Sequence, residues 1–265
     1  MRRISLLAAL ALLLPQLAMG WGRVGHRTIA EIAERNLTPK AKANIERYTG
    51  GAPLHTLSLW MDEVRNDEPY KTATEGWHAS IADSDNTSPQ VVRNRYRDGK
   101  DGVTAMYDFR NQLKDYRNMP DSAVLVALKC MIHIVGDFHC PSHLRYVDAE
   151  NKGRFAVKLN GKITDMHKAW DTGIITTYHK GWKQKEYADH LNTLTKKEIK
   201  KITKGWAQEW FEDAAVQCRP VIYWTDDRKV ETIDEAKMAK MGPLGELQMQ
   251  RAGYRLAKAL NEIFK

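Results

Sequence analysis

The sequence predicts an all-α, single-domain, multi-helix protein carrying one short β-hairpin. Apolar residues recur at helical spacing along most of the 265-residue chain. Runs that alternate apolar and polar residues are few. The best of them, FAVKLNG at 155–161, is short enough to be a hairpin arm. Cap residues and prolines stand where the helical pattern starts and stops.

The chain opens with a segment that is not part of that fold. Arg2 and Arg3 precede an apolar run from Ile4 to Leu14, and Ala18-Met19-Gly20 places small residues around a cleavage point. These are the three parts of a secretory signal. The apolar run is too short to span a bilayer, which takes about 20 residues, and no later stretch is apolar enough. Residues 1–20 are thus expected to be a signal peptide. Cleavage between Gly20 and Trp21 would leave residues 21–265 as one exported domain, periplasmic or secreted, with ample core.

In order along that domain, Ile29, Ile32 and Ala33 mark a first helix, and Thr38-Pro39 opens a second. The pattern resumes over 103–117. Asp121 or Ser122 then caps a strongly apolar run, AVLVALKCMIHIVGDFH, which Pro141 ends. Later helices are expected at 164–178, 205–217 and 244–263. The stretch 82–101 is irregular, and its Arg93, Arg95 and Arg97 fit a solvated loop better than a phosphate-contacting arm. The triplets at Asn36 and Asn86 match glycosylation acceptors.

Lys and Arg number 41 against 33 Asp and Glu, a net of +8. Removing Arg2 and Arg3 lowers that excess by two. The remainder is weak support for a polyanionic partner, since many basic exported proteins bind no nucleic acid. Three cysteines in an exported chain, Cys130, Cys140 and Cys218, suggest one disulfide and one leftover thiol. Cys130 and Cys140 lie on one helix or at its end, too far apart to pair. Cys218 is therefore expected to be one partner, with the other left open.

The chemistry concentrates in HIVGDFHCPSH, residues 133–143. His133 and Asp137 are four apart, so a helix presents them on one face. Such a pair can share a metal, His through a ring nitrogen and Asp through oxygen. Pro141 turns the chain and allows His143 to return toward the same place. Taken alone, the pair is more often an ion pair or a core hydrogen bond. A second pair, His167 and Asp171 in DMHKAWD, repeats the spacing. Two such pairs, the first inside an apolar helix, ask for a shared partner, and a divalent metal is the common one for several buried charges.

Together with WGRVGH, WMDEVR and the Trp77-His78 pair, these segments resemble the S1/P1 nuclease family of zinc-dependent enzymes, in order and over nearly the whole domain. The resemblance implies the all-α fold of the phospholipase C/P1 nuclease superfamily and three zinc ions per chain. On it, Asp62, His78, His133 and Asp137 hold one ion. Trp21 holds a second with His26 and a bridging Asp137, using its carbonyl oxygen and the amine that cleavage frees. That amine titrates near 8, so zinc can displace its proton. His143, His167 and Asp171 hold the third. The resemblance further implies hydrolysis of single-stranded DNA or RNA to 5′-phosphate products by a hydroxide shared between two zincs. Asp62, Asp137 and Arg65 belong to the catalytic set, Arg65 as a phosphate contact; 3′-nucleotidase activity stays open. The partner is a single-stranded nucleic acid or nucleotide, with no obligate protein partner, and a monomer is expected. His139 is expected to hydrogen-bond beside the ligands, whereas His55, His179 and His190 read as surface or core residues with no metal role.

Several positions depart from the family pattern. Ala79 follows His78 where an aromatic residue often helps to hold a base, a contact of roughly 1–3 kcal/mol, and nearby Trp77 is a candidate substitute. HQPLH becomes HCPSH, the glycine-glycine-asparagine loop becomes AENKGR at 149–154, and Asp165 replaces an asparagine. These changes touch the substrate surface and leave the ligand types intact. Two other readings compete. A zinc phospholipase C would place its first histidine further from the N-terminal tryptophan and end on glutamate where this chain has Asp171. It would also want an aromatic or acidic cage for a choline-type head, and no such cage can be located in the sequence. A non-catalytic zinc-binding protein would close its site with four ligands, whereas His143, His167 and Asp171 leave a position open.

Overall fold

The computed structural model describes residues 21–82, 101–146, 155–222 and 229–265. Helices dominate it. The first, α1 (Arg23–Arg35), buries Ile29, Ile32 and Ala33 along one stripe. Next comes α2 (Pro39–Thr49), opened by the Thr38 hydroxyl, which accepts the Ala41 N–H at 3.2 Å, with Pro39 in the first turn. Three short helices follow, α3 (Leu54–Leu57), α4 (Trp60–Val64) and α5 (Tyr70–Thr74), then the strand β1 (Ser80–Ala82).

The expected helix at 103–117 is α6 (Gly102–Gln112), tightening into a 3₁₀ turn to Asn118. The apolar run forms α7 (Asp121–Asp137). Its N-cap is Pro120, with Asp121 already inside the first turn, so neither Asp121 nor Ser122 is the cap. From Cys130 to Asp137 every residue is buried. Each Ile or Leu so buried contributes about 1.5–3 kcal/mol, which offsets the cost of dehydrating His133 and Asp137 on the same turns.

After the Pro141 turn come β2 (Leu144–Tyr146) and then β3 (Ala156–Leu159) and β4 (Lys162–Asp165). β1 and β2 pair in parallel, Ser80 opposite Leu144. β3 and β4 form the expected hairpin through Asn160 and Gly161, both at positive φ, as a two-residue turn requires. The hairpin runs to Asp165, so the helix expected from 164 begins later, as α8 (Met166–Lys168). A π-helical turn over Ala169–Gly173 joins it to α9 (Ile174–Tyr178).

The remaining helices are α10 (Gln184–Leu191), α11 (Lys196–Ile202), α12 (Ala207–Ile222) and α13 (Glu235–Ile263), with β5 (Glu231–Thr232) pairing in parallel with β3. α12 runs past the expected end at 217, and α13 starts well before 244 because its buried stripe already includes Met241 ahead of Pro243. α13 packs against α1, α7 and α9. At Gly253 a Cβ would lie 2.6 Å from the Ile32 side chain, so glycine permits the α1–α13 approach.

Cys130, Cys140 and Cys218 are separately buried thiols, so the expected disulfide is not formed. Burial pushes the Cys130 thiol up to about 12. Asn36 spends its amide on the Ile32 carbonyl and the Asn192 side chain, both at 2.8 Å, which leaves it poorly suited as a glycan acceptor. Asn86, the arginines at 93, 95 and 97 and the 149–154 loop lie outside the described residues. Among the described residues no helix is long and apolar enough to cross a membrane.

Candidate metal centre

Four structural devices bring the candidate ligands together. α1 carries His26, α4 carries Asp62, and the last turns of α7 carry His133 and Asp137. The parallel β1–β2 pairing sets His78 and His143 side by side just ahead of each strand. The His143 Nδ1–H donates to the His78 carbonyl at 2.5 Å, which turns Nε2 toward Asp171. Likewise the His133 Nδ1–H donates to the Ser58 carbonyl at 2.8 Å and leaves Nε2 facing the carboxylates. Backbone acceptors thus select the tautomer a metal ligand needs. Gly136 makes room for α1: a Cβ there would stand 2.6 Å from His26 Nδ1.

Asp137 is the hub. Its Oδ1 lies 3.2 Å from His26 Nε2. Its Oδ2 lies 2.9 Å from His78 Nδ1 and 3.2 Å from His133 Nε2. Asp62 Oδ2 stands 3.7 Å from His133 Nε2, while Arg65, at the half-buried rim, lies 3.8 Å from Asp62 Oδ1. Donor atoms of His26, Asp62 and His133 lie within 4.8 Å of one another, as do those of His78, His133 and Asp137.

A further group comprises His143, His167 and Asp171, again within 4.8 Å. His167 Nε2 lies 3.4 Å from Asp171 Oδ2. Asp171 sits on the π-helical turn, a local widening often found at functional sites. Ser142 donates to Asp171 Oδ1 at 2.7 Å and touches Cys140 Sγ at 3.0 Å, so the two unexpected residues of HCPSH brace this candidate ligand. Asp165, the other departure, caps α8 by accepting the Lys168 N–H at 2.8 Å. Trp21 is fully buried, and the Gly22 N–H donates to the Asp171 carbonyl at 2.5 Å, which seats the start of the domain beside this group.

The electrostatics are those of a cluster short of positive charge. Burial works against a charge on His133, but Asp137 and Asp62 outweigh it and hold the imidazole up at about 9. Asp137 is buried too, yet His133 and His143 keep its carboxyl well below the usual range. Burial lowers His26 and brings His143 down to about 3, and burial raises Asp171 well above an ordinary carboxyl. Among the described residues, buried atoms of Asp62, His26, His78, His133, Asp137, His143 and Asp171 point inward with no hydrogen-bond partner. So many buried donors of nitrogen and carboxylate type, turned toward shared points, fit divalent zinc in ligand chemistry.

His139 departs from expectation. Its Nδ1–H donates to the Val135 carbonyl at 2.7 Å, and its Nε2 accepts from Arg255 at 2.8 Å. Burial and then Arg255 keep it neutral, and Arg255 in turn pairs with Asp213 at 2.5 Å. It therefore serves the α7–α13 packing and not the ligands. Trp77 stacks edge-on against Phe109 at 5.2 Å, which engages its ring inside the fold. His55 lies on α3, outside these groups. Sequence reading also passed over one assembly: His179, His190 and Glu246 come together from three separate elements.

Overlapping groups of buried imidazoles and carboxylates, set into a helical scaffold, define a metal-dependent hydrolytic enzyme. The S1/P1 Nuclease family model matches residues 21–265, and the chain belongs to that family of zinc-dependent hydrolases of phosphodiester bonds. It is similar to Nuclease S1 of Aspergillus oryzae, 28% identical over 289 residues that cover 99% of this chain and 98% of that protein. Nuclease P1 of Penicillium citrinum is 26% identical, with 92% and 97% covered. Endonuclease 2 of Arabidopsis thaliana is 23% identical, with 92% and 91% covered.

Proposed function

We propose that this protein is an exported trizinc phosphodiesterase that cleaves single-stranded DNA or RNA to 5′-phosphate products. Residues 1–20 are its signal peptide and 21–265 its single catalytic domain. The observation that carries the reading is the convergence of His26, Asp62, His78, His133, Asp137, His143, His167 and Asp171 into adjoining groups.

Asp62, His78, His133 and Asp137 would hold one ion, Trp21, His26 and Asp137 its neighbour, and His143, His167 and Asp171 the third. Bound zinc would supply Lewis acidity to the phosphoryl oxygens and bring the pKa of water toward neutrality. Asp137 offers a different oxygen to His26 than to His78 and His133, the arrangement a bridging ligand needs. Arg65 stands at the rim with a fork that matches two phosphate oxygens.

Beside Asp171 opens a cavity of about 530 Å³, lined in part by Lys162, Thr164, Lys168, Thr172 and Thr176. Its size suits a nucleotide, and its lysines and hydroxyls suit a phosphate-bearing chain. With Ala79 at the position after His78, base stacking contributes less here than an aromatic residue would allow.

The test is zinc per chain on the naturally processed protein, with hydrolysis of single-stranded DNA, RNA and phosphatidylcholine measured side by side. About three zincs with nucleic-acid cleavage is the expected result. Cleavage of lipid alone, or zinc without hydrolysis, overturns the substrate reading. A form beginning with Met ahead of Trp21 should hold one zinc fewer; full zinc content with full activity removes Trp21 from the ligand set.

A further inference from the structure

On the far end of the segment that carries His167 and Asp171, a second kind of cluster forms. His179 follows α9 directly, His190 lies in the last turn of α10, and Glu246 projects from α13. His179 Nε2 lies 2.9 Å and His190 Nε2 3.4 Å from the same oxygen, Glu246 Oε1. One donor atom from each residue lies within 4.8 Å of the others. Tetrahedral zinc, with bonds of about 2.0–2.2 Å, sets its donors roughly 3.3–3.5 Å apart. The His190–Glu246 separation falls in that range and the His179–Glu246 separation is shorter, the length of a direct hydrogen bond.

The imidazoles are held in place. Trp182 stacks flat on His179 at 3.8 Å and 8°, meets His190 edge-on at 5.3 Å, and is itself braced by Tyr187 at 5.1 Å. Gly181 supplies the positive-φ turn that returns Trp182 onto His179. The Glu246 side chain is 14% exposed, and among the described residues its ion-pair partners are these two histidines. A largely buried carboxylate faced by two oriented imidazole nitrogens, with His190 half exposed, is a three-ligand set with an open approach from solvent. Its eight-residue separation from Asp171 corresponds to roughly 12 Å of helix, so it is separate from the catalytic groups yet mechanically joined to them.

We propose that His179, His190 and Glu246 form an additional divalent transition-metal site that clamps the α9–α10 turn onto α13. Two imidazoles and one carboxylate suit zinc, cobalt, nickel or copper and disfavour magnesium and calcium, which want oxygen. The ion reinforces three elements already linked by the Tyr187 hydroxyl, which donates to the Ile175 carbonyl at 2.8 Å, and by the Gln250 amide, which donates to the Leu191 carbonyl at 2.7 Å. It also steadies the segment bearing His167 and Asp171 from its distal end.

The test compares the metal-loaded wild-type protein with His190→Ala and, independently, Glu246→Gln. Each is equilibrated with Co²⁺ or Zn²⁺, and metal per chain and melting temperature are read. Wild type should bind one equivalent more than either variant, with at least about 100-fold loss of affinity at this site on removal of one ligand. Added metal should raise the wild-type melting temperature further than that of the variants, while phosphodiesterase activity at saturating zinc stays the same in all three. Equal metal content and equal thermal response in wild type and both variants would overturn the proposal. Because the readout is a difference between proteins, a wrong count of catalytic zincs shifts all three alike and leaves the test intact.

Discussion

His26 and Asp137 meet through their Nε2 and Oδ1 atoms at 3.2 Å, in a place where neither side chain reaches solvent. The contact joins α1 to the last turn of α7, and on its other oxygen Asp137 faces His78 and His133. One carboxylate therefore links candidate ligands from three parts of the chain.

If Asp137 bridges two ions, Asp137→Asn should cost more than one of them. Zinc per chain is expected to fall by about two, with activity reduced by at least roughly 10³-fold, while helical content measured by circular dichroism is kept. Loss of a single zinc would show that Asp137 serves one ion only.

Arg65 is 29% exposed and 3.8 Å from the buried Asp62, and the proposed function makes it a phosphate contact. Arg65→Ala should lower turnover about 10–100-fold and leave zinc content unchanged. Unchanged turnover in steady-state kinetics would take Arg65 out of the site.

Ser142 donates to Asp171 at 2.7 Å and is the only hydroxyl on that carboxylate among the described residues. If Asp171 holds a zinc, Ser142→Ala removes the partner that orients it, so affinity for that zinc should weaken about 10–100-fold. A competitive chelator titration, in which a single zinc leaves early, reads this directly.

His133 gives the metal-free protein a distinct response to pH. In the fold it is held near 9, against an ordinary 6.5. Its contribution to stability is therefore complete below about 6.5 and is lost as pH rises through 9. On the order of 3 kcal/mol should disappear over that window in chelator-treated protein. Denaturant unfolding of His133→Asn, also stripped of metal, should lack this decline. A wild-type curve that stays parallel to that of the variant would exclude it.

The parts of the site that could be read directly are those set by spacing along one helix. His133 with Asp137, and His167 with Asp171, are four apart, and a turn of 3.6 residues places each pair on one face whatever the rest of the chain does. The apolar run around the first pair also announced a buried helix, which α7 is. Readings that required knowing which elements touch fared differently. The disulfide expected of Cys218 is not formed, because thiol count and export say nothing about where three core positions lie. His139, expected to hydrogen-bond beside the candidate ligands, bonds instead to Arg255, 116 positions away.

The sequence by itself determined the helical class, the two His–Asp spacings and a hairpin arm at 155–161, since all of these follow from local periodicity and residue chemistry. Only the tertiary structure decided that Asp137 would face both α1 and β1, that Ser142 would brace Asp171, and that His179, His190 and Glu246 would meet. Those contacts join residues tens of positions apart, and they exist because burying the apolar faces of α1, α7 and α13 brings their polar passengers to the same points.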